Sequence, residues 1–232
     1  MNEKTPRTGI VEPLFPDWAG PVYLVVGLVI GTVYFLFDLV IVSMPGMALF
    51  KALGIVFLAA YALFSRHFAL ALALALSACG DYALALEPQE QVAGIGFFAA
   101  AHIVYALIFA RIILTDGVRK EGLILLGAIS FYGAALWLWL RPDLGVMTLP
   151  VSAYIAIILA MAGTAVVSRA GSWVVVGALL FMGSDSLIAL GWFKGFSVTG
   201  FGLDLYGGAI WASYFAAQAC LAYGLVKRGK TR

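Results

Sequence analysis

The sequence has 232 residues, of which 63% are hydrophobic and 11% charged, with a formal net charge of +2 and a mean hydropathy of +1.02. Soluble domains have about 25% charged residues, so this composition excludes a soluble enzyme, a DNA-binding protein and a disordered chain. The long unbroken apolar runs also exclude a β-barrel, whose strands alternate apolar and polar residues over about ten positions.

Eight apolar runs are each long enough to cross a bilayer as a helix, which takes about 20 residues. Each run is bounded by proline, glycine or charged residues. A helix satisfies all of its backbone polar groups within its own segment, so we expect an all-α polytopic membrane bundle of eight transmembrane helices. The predicted spans are residues 21–42, 45–64, 68–86, 92–114, 122–140, 144–167, 172–192 and 205–226.

These spans form one predicted membrane domain, residues 21–226, between an N-terminal tail, residues 1–20, and a basic C-terminal tail, residues 227–232. The N-terminal tail lacks the short apolar segment of a cleaved signal peptide, so the first span is expected to act as the insertion signal. Cys79 and Cys220 both lie within spans. Neither a disulfide framework nor a cysteine-based zinc site is therefore predicted.

Basic residues predict the orientation, because cytoplasmic loops are enriched in Lys and Arg. Eleven basic residues fall on the side of the N-terminus, and only Arg141 and Lys194 fall on the opposite side. Both termini are therefore predicted to face the cytoplasm, which requires an even number of spans. The short tails fit a bacterial inner (plasma) membrane protein. The eleven residues are Lys4, Arg7, Arg66, Arg111, Arg119, Lys120, Arg169, Lys227, Arg228, Lys230 and Arg232.

Ionisable residues are few within the spans, and a charge at the bilayer centre costs at least about 2.5 kcal/mol, so such residues usually face the protein interior. Asp81 and Asp185 each lie 13 residues beyond the start of their spans, the third and the seventh, and so share one depth. We expect one polar pocket between the midplane and the non-cytoplasmic surface. The ionisable residues predicted in that half of the membrane are Asp38, Lys51, Asp81, His102 and Asp185.

Spans 3 and 7 carry related sequences around their aspartates. Residues 80–86 read GDYALAL and residues 184–190 read SDSLIAL, and the two aspartates are 104 residues apart, close to half the chain. One interpretation is a duplicated four-helix unit, whose parallel repeats would bring both carboxyl groups to one depth around an axis along the membrane normal. The other interpretation is that apolar helices resemble one another by composition alone.

The polar residues also have structural interpretations. The two aspartates could form a buried ion pair with Lys51 or share one proton, and the buried tyrosines and Gln218 could be hydrogen bonds between helices. His102 is interpreted as a core residue rather than a metal ligand, because the other histidine, His67, is predicted at the cytoplasmic edge. No metal and no cofactor are therefore expected.

Six groups of residues occur in a particular order and spacing: Phe50–Leu53, Ser77–Leu84, Gly96–Phe98 with His102–Tyr105, Leu149–Tyr154, Gly177–Phe181 with Ser184–Ser186, and Tyr214–Gln218. Together they resemble the YhhN-like lysoplasmalogenase family of multi-pass membrane proteins. Ala52 departs from the family pattern, in which Pro commonly follows the Lys. This departure affects only the local kink.

The resemblance implies hydrolysis of the vinyl ether bond of lysoplasmalogens to a fatty aldehyde and a glycerophospho-base. Such a reaction needs a proton donor for the outer alkene carbon, and an anion that stabilises the resulting oxocarbenium ion and activates water, as in glycosidases. Asp81 and Asp185 are the predicted acid and base, without a decision as to which is which. The predicted substrate-binding residues are Lys51, His102, Tyr105, Tyr154, Ser184, Tyr214 and Gln218.

Two other function classes fit the same residues. Intramembrane aspartates, a lysine and a four-plus-four repeat also describe a small proton-coupled membrane transporter. A lipid-binding membrane protein without catalysis is the third class. For the enzyme, the predicted partner is a lysophospholipid substrate within the bilayer, and no nucleic acid partner is expected. Release of aldehyde from a lysoplasmalogen would distinguish the enzyme from both alternatives.

Overall fold

The structure, a computed structural model, describes residue 16, residues 18–40 and residues 46–230. The predicted N-terminal tail up to residue 15, residues 41–45 at the junction of spans 1 and 2, and the basic residues Lys4, Arg7 and Arg232 lie outside this part. Within it the chain forms eight α-helices. They are α1 Ala19–Leu39, α2 Met47–Phe64, α3 Phe68–Leu84, α4 Gln91–Asp116, α5 Gly122–Leu140, α6 Thr148–Val167, α7 Ser172–Lys194 and α8 Leu205–Lys230.

The predicted fold class is confirmed, since each predicted span corresponds to one helix. Seven helices have at least 18 residues and are apolar enough to cross a membrane, and α3 has 17 residues. A spanning helix has about 17–25 residues, so α3 lies at the lower end of that range. The chain is therefore a polytopic α-helical membrane protein.

Two boundaries differ from the prediction by four residues, and the others differ by three or fewer. The sixth helix begins at Thr148 rather than at residue 144, because residues 141–147 form two short 3₁₀ turns, Arg141–Asp143 and Gly145–Met147. The first turn contains Pro142, and Gly145 has a positive φ of 50°. The last helix continues to Lys230, so most of the predicted basic tail is its last turn, where cations interact favourably with the helix dipole.

Helix neighbours follow a pattern related to the predicted repeat. Consecutive helices pack within each half, α2 packs against α8 of the other half, and α6 packs against α4. Exchanging α1–α4 with α5–α8 converts the α2–α8 contact into the α6–α4 contact, as a two-fold repeat requires. The correspondence is incomplete. The same exchange would convert the α1–α8 contact into a contact between α5 and α4, whereas α5 contacts α7.

Glycines bring α1, α2 and α8 into close contact near the polar end of the bundle. A Cβ at Gly31 would lie 2.0 Å from Cζ of Phe215, and a Cβ at Gly54 would lie 3.1 Å from the backbone of Gly31. The buried carbonyl of Gly31 accepts a hydrogen bond from the indole N–H of Trp211 at 3.0 Å. Small residues at such crossings are typical of membrane helices, and here they fix the position of Trp211.

A short hairpin connects α7 to α8. Strands β1, Thr199–Gly200, and β2, Leu203–Asp204, pair antiparallel, and both residues of the turn between them, Phe201 and Gly202, have positive φ. This two-residue turn matches the twist of a hairpin. It holds the start of α8 beside the ends of α1, α3 and α7, at the end of the bundle predicted to be non-cytoplasmic.

Candidate active site

A polar cleft opens at this end of the bundle, with about 1060 Å³ of unfilled space. It lies where α1, α3 and α7 end and where α2 and α8 begin. Asp81 and Asp185 both line it, and each is the fourteenth residue of its helix. The other polar residues that line the cleft are Asp38, Lys51, Gln89, Ser197, Asp204, Tyr206 and Tyr214.

Asp81, which is 2% exposed, has a hydrogen-bond donor on α8. The hydroxyl of Tyr214 donates to its Oδ2 at 2.6 Å. The side chain of Gln218, one turn further along α8, donates to the Tyr214 hydroxyl oxygen at 3.3 Å, and the Tyr105 hydroxyl donates to the Gln218 carbonyl oxygen at 2.8 Å. Because each hydroxyl donates one proton, the hydrogen bonds in this series all donate in the same direction, from Tyr105 towards Asp81.

Tyr105 and Gln218 are completely buried behind Tyr214 and do not line the polar cleft. The structure therefore places these two predicted substrate-binding residues in a position to orient Tyr214 and to keep its proton directed at Asp81. A buried, fully satisfied network of this kind holds its members in one geometry.

Asp185 has more donors than Asp81. The hydroxyl of Tyr154 on α6 donates to its Oδ2, and Nε2 of His102 on α4 lies 3.2 Å from the same oxygen. The hydroxyl of Ser184 lies 3.3 Å from Oδ1, and also donates to the backbone carbonyl of Phe181 at 3.1 Å. Three side chains thus converge on Asp185, whose side chain is 12% exposed.

The imidazole of His102 is completely buried and packs against Phe181 and Tyr154. Its Nδ1 has no hydrogen-bond partner in the described part of the chain. A proton on Nδ1 would therefore be an unsatisfied buried donor, whereas a proton on Nε2 can be donated to Asp185 or to the hydroxyl oxygen of Tyr154, which lies 3.0 Å from Nε2. This geometry gives His102 the role of a donor that holds the Asp185 carboxylate in place.

The two aspartates occupy related positions in the two halves. Asp81 on α3 receives its hydrogen bond from α8, and Asp185 on α7 is contacted from α4. In each case, the third helix of one half is paired with the fourth helix of the other half. The related positions carry different partners, Tyr214 and His102, so the two carboxyl groups have unequal surroundings.

Lys51 contributes the one Lys or Arg side chain among the described residues that line the cleft. Its Nζ lies 5.6 Å from the ring centroid of Trp211, within the distance of a cation–π contact. No ion pair of Lys51 with an acidic residue of the described ranges occurs at 4.0 Å or less. The ammonium group is therefore available to an anionic ligand in the cleft.

Four polar cleft residues were missed by the sequence analysis: Gln89, Ser197, Asp204 and Tyr206. Asp204 accepts a hydrogen bond from the backbone N–H of Gly207 at 2.9 Å, which is the geometry of an N-cap for α8. Tyr206 donates to the backbone carbonyl of Leu187 at 2.7 Å. An Asp directly before a predicted span is an N-cap signal that could have identified Asp204, whereas the cleft position of Tyr206 has no such signal.

A second, apolar cavity with about 730 Å³ of unfilled space was also missed. It lies between α5, α6 and α7, and Asp185 and Tyr154 are part of its wall. Asp185 thus faces both cavities. Apolar residues around a cavity have the same composition as residues that face lipid, so the sequence contains no signal for it.

A sequence profile of the YhhN family matches residues 46–225, which includes every residue of the site described above except Asp38. The lysoplasmalogenases of Mycobacterium bovis and Mycobacterium tuberculosis are each 32% identical to the chain over 157 residues, which are 66% of this chain and 58% of each relative. The lysoplasmalogenase TMEM86B of Sus scrofa is 38% identical over 119 residues, 50% of this chain and 48% of that protein. The matched region thus spans about half the length of these relatives, and no solved structure matches the chain.

Proposed function

The chain belongs to the YhhN family, and from this membership we propose that it is a hydrolase that cleaves the vinyl ether bond of a lysoplasmalogen within the bilayer. The products are a fatty aldehyde and a glycerophospho-base. The observation that carries this proposal is that Asp81 and Asp185, from the third and seventh helices, line one cleft and have unequal sets of hydrogen-bond donors. The relatives named lysoplasmalogenase support the same reaction class.

The surroundings of the two aspartates support different roles. Asp185 has two neighbouring side-chain donors, Tyr154 and His102, which compensate a negative charge, so we assign it the ionised form. Asp81 has the single donor Tyr214 on Oδ2, and its other oxygen can carry a proton. Because a buried charge with one donor is poorly compensated, we assign Asp81 the protonated form and the role of general acid.

The reaction then proceeds in balanced steps. Asp81 gives its proton to the outer alkene carbon, whose π electrons form the new C–H bond, and the positive charge moves to the inner carbon and the ether oxygen. The ionised Asp185 stabilises this oxocarbenium ion and takes a proton from the water that adds to the inner carbon, which gives a hemiacetal. Asp185 returns its proton to the departing glycerol oxygen while Asp81 takes the hemiacetal hydroxyl proton. The aldehyde forms, both carboxyl groups are restored, and one water is consumed.

Protonation at carbon leaves an isotopic mark that tests the proposal. Purified protein in detergent, in D₂O, is expected to release aldehyde from a lysoplasmalogen with one deuterium on the carbon next to the carbonyl, and to release none from an ester lysolipid. The aldehyde is reduced at once to the alcohol and its mass is measured. Authentic aldehyde incubated in the same way is the control for exchange.

Each result of this experiment has a definite meaning. Absence of aldehyde from folded protein contradicts the hydrolase, and such a protein is then compared with a proton-coupled transporter by flux measurements in liposomes. Aldehyde without deuterium contradicts proton transfer to carbon, while the hydrolase assignment would stand on another mechanism.

Lys51 is proposed to bind the phosphate of the head group, since it is the basic residue of the described cleft wall and forms no ion pair there at 4.0 Å or less. A hydrogen bond to a charged group contributes about 1.5–3 kcal/mol, so Lys51→Ala is expected to raise KM about tenfold with a smaller change in kcat. Lys194→Ala is the matched control, because Lys194 pairs with Asp143 outside the cleft. Steady-state kinetics with a lysoplasmalogen and with the phosphate-free alkenyl glycerol measure both values.

The phosphate-free substrate makes this prediction specific. Its KM is expected to be the same for the Lys51→Ala variant and the unmodified protein, because it lacks the group that Lys51 binds. An equal rise in KM for both substrates would show that Lys51 does not recognise the phosphate.

A further inference from the structure

The apolar cavity between α5, α6 and α7 is continuous with the proposed catalytic group. Asp185 is part of its wall and also of the wall of the polar cleft. The apolar side chains of Leu84, Phe98, Ile188 and Trp192 line both spaces as well. The boundary between the two cavities is therefore formed by a few apolar side chains and one carboxyl group.

Two hydroxyl groups in the wall of this cavity already have hydrogen-bond partners. The Tyr154 hydroxyl donates to Asp185, and the Ser186 hydroxyl donates to the backbone carbonyl of Met182 at 2.7 Å. The rest of the wall is aliphatic or aromatic apart from Tyr132, which is 41% exposed. Because the wall is mostly apolar, the occupant of this space is expected to be a hydrocarbon.

We propose that this cavity binds the hydrocarbon chain of the lysolipid, with the vinyl ether at Asp185 and the head group in the polar cleft. This assignment rests on the proposed function. It explains why one carboxyl group faces both spaces, because the scissile bond of a lysoplasmalogen is the junction between its apolar chain and its polar part.

The cavity is expected to fix the position of the hydrocarbon chain rather than to favour its transfer out of the bilayer. A chain that leaves the bilayer for an apolar cavity exchanges one apolar environment for another, so little hydrophobic free energy is gained. What the cavity provides is orientation, since a chain held in it places the ether bond against Asp185. A smaller cavity is therefore expected to exclude long chains from the productive position while still accepting short ones.

Two substitutions on different helices reduce the cavity. Ala189 lies four residues after Asp185 on α7, and Ile158 lies four residues after Tyr154 on α6, so each is on the cavity face of its helix. Ala189→Phe and Ile158→Phe are each expected to lower the ratio of kcat/KM for a sixteen-carbon chain to that for a ten-carbon chain at least about tenfold. Ala128→Phe is the matched control, because Ala128 is exposed on α5 and lines neither cavity.

A second measurement separates this proposal from the proposed function. Saturated alkyl ether lysolipids cannot be hydrolysed by the proposed mechanism, and their binding is followed by the rise in melting temperature of the protein in detergent. The rise is expected to depend on chain length for the unmodified protein and for Ala128→Phe. In Ala189→Phe and Ile158→Phe it is expected to be reduced for long chains.

Each combination of results is informative. Absence of aldehyde release together with the expected loss of long-chain binding supports the chain site and contradicts the hydrolase. Aldehyde release with an unchanged chain-length ratio in either folded variant contradicts the chain site and leaves the hydrolase in place. Equal losses for both chain lengths also contradict the chain site. Two variants are used so that failure of one to fold does not remove the test.

Discussion

Asp81→Asn is expected to lose at least about a hundredfold in kcat while the protein remains folded. A general acid typically contributes 10²–10⁴-fold, and an amide cannot give a proton to the alkene carbon. The amide oxygen of Asn can still accept the hydrogen bond from Tyr214, so the link between α3 and α8 is kept. The measurement is single-turnover release of aldehyde, with size-exclusion profile and melting temperature as the tests of folding.

The matched control for this change is Asp143→Asn, which makes the same substitution in the exposed ion pair with Lys194, outside both cavities. Exposed pairs contribute about 0–1 kcal/mol, so this variant is expected to keep its activity. A folded Asp81→Asn variant with full aldehyde release would rule out Asp81 as the acid. Tyr214→Phe, which removes the single donor to Asp81, is expected to lower kcat by a smaller factor.

Asp185→Asn is also expected to lower kcat at least about a hundredfold, for a different reason. The amide has no negative charge with which to stabilise an oxocarbenium ion, and it cannot take a proton from water. Tyr154 and His102 can still donate to its oxygen, so the contacts of α7 with α6 and α4 are retained. A hundredfold loss corresponds to about 2.7 kcal/mol of transition-state stabilisation.

Chemical rescue distinguishes this role from a structural one. Asp185→Ala leaves space at the junction of the two cavities, and added formate is expected to restore part of the lost activity, because a small carboxylate can replace the missing anion. Formate is not expected to change the rate of Asp81→Asn. Full activity in a folded Asp185→Asn variant, or loss of activity accompanied by loss of folding in every Asp185 variant, would contradict the assigned role.

The double variant adds a further test. Residues that act in one reaction step are strongly non-additive, so Asp81→Asn combined with Asp185→Asn is expected to be little slower than the slower single variant. Additive losses would indicate that the two carboxyl groups contribute independently. Such a result would conflict with a cycle in which each carboxyl group restores the other.

The positions of the helices were predictable because hydropathy is a local property. Each predicted span corresponds to a helix, and the main difference, the start of α6 at Thr148, arises from the two 3₁₀ turns around Pro142 and Gly145. The depth of a side chain follows from counting along a helix at about 1.5 Å per residue. Counting placed Asp81 and Asp185 at one level, and both line the cleft.

Hydrogen-bond partners were not predictable in the same way. From the sequence, two interpretations remained for four residues: hydrogen bonds between helices or lining of a cavity. The structure assigns these residues, Tyr105, Tyr154, Tyr214 and Gln218, to different positions. Tyr214 and Tyr154 each line a cavity, while Tyr105 and Gln218 lie behind Tyr214. This division depends on the rotation of each helix about its axis, and nearly uniform apolar helices carry little sequence information about that rotation.

The sequence by itself determined the membrane class, the number and approximate limits of the helices, the positions of the two aspartates along α3 and α7, and the resemblance to one family. Only the tertiary structure decided that Asp81 has one side-chain donor and Asp185 two, that Lys51 forms no ion pair at 4.0 Å or less within the described residues, and that an apolar cavity adjoins Asp185. The physical reason is that the hydropathy of each residue by itself indicates whether that residue can lie in a bilayer. The side on which one helix meets another is decided by the packing of small and large side chains across the whole bundle.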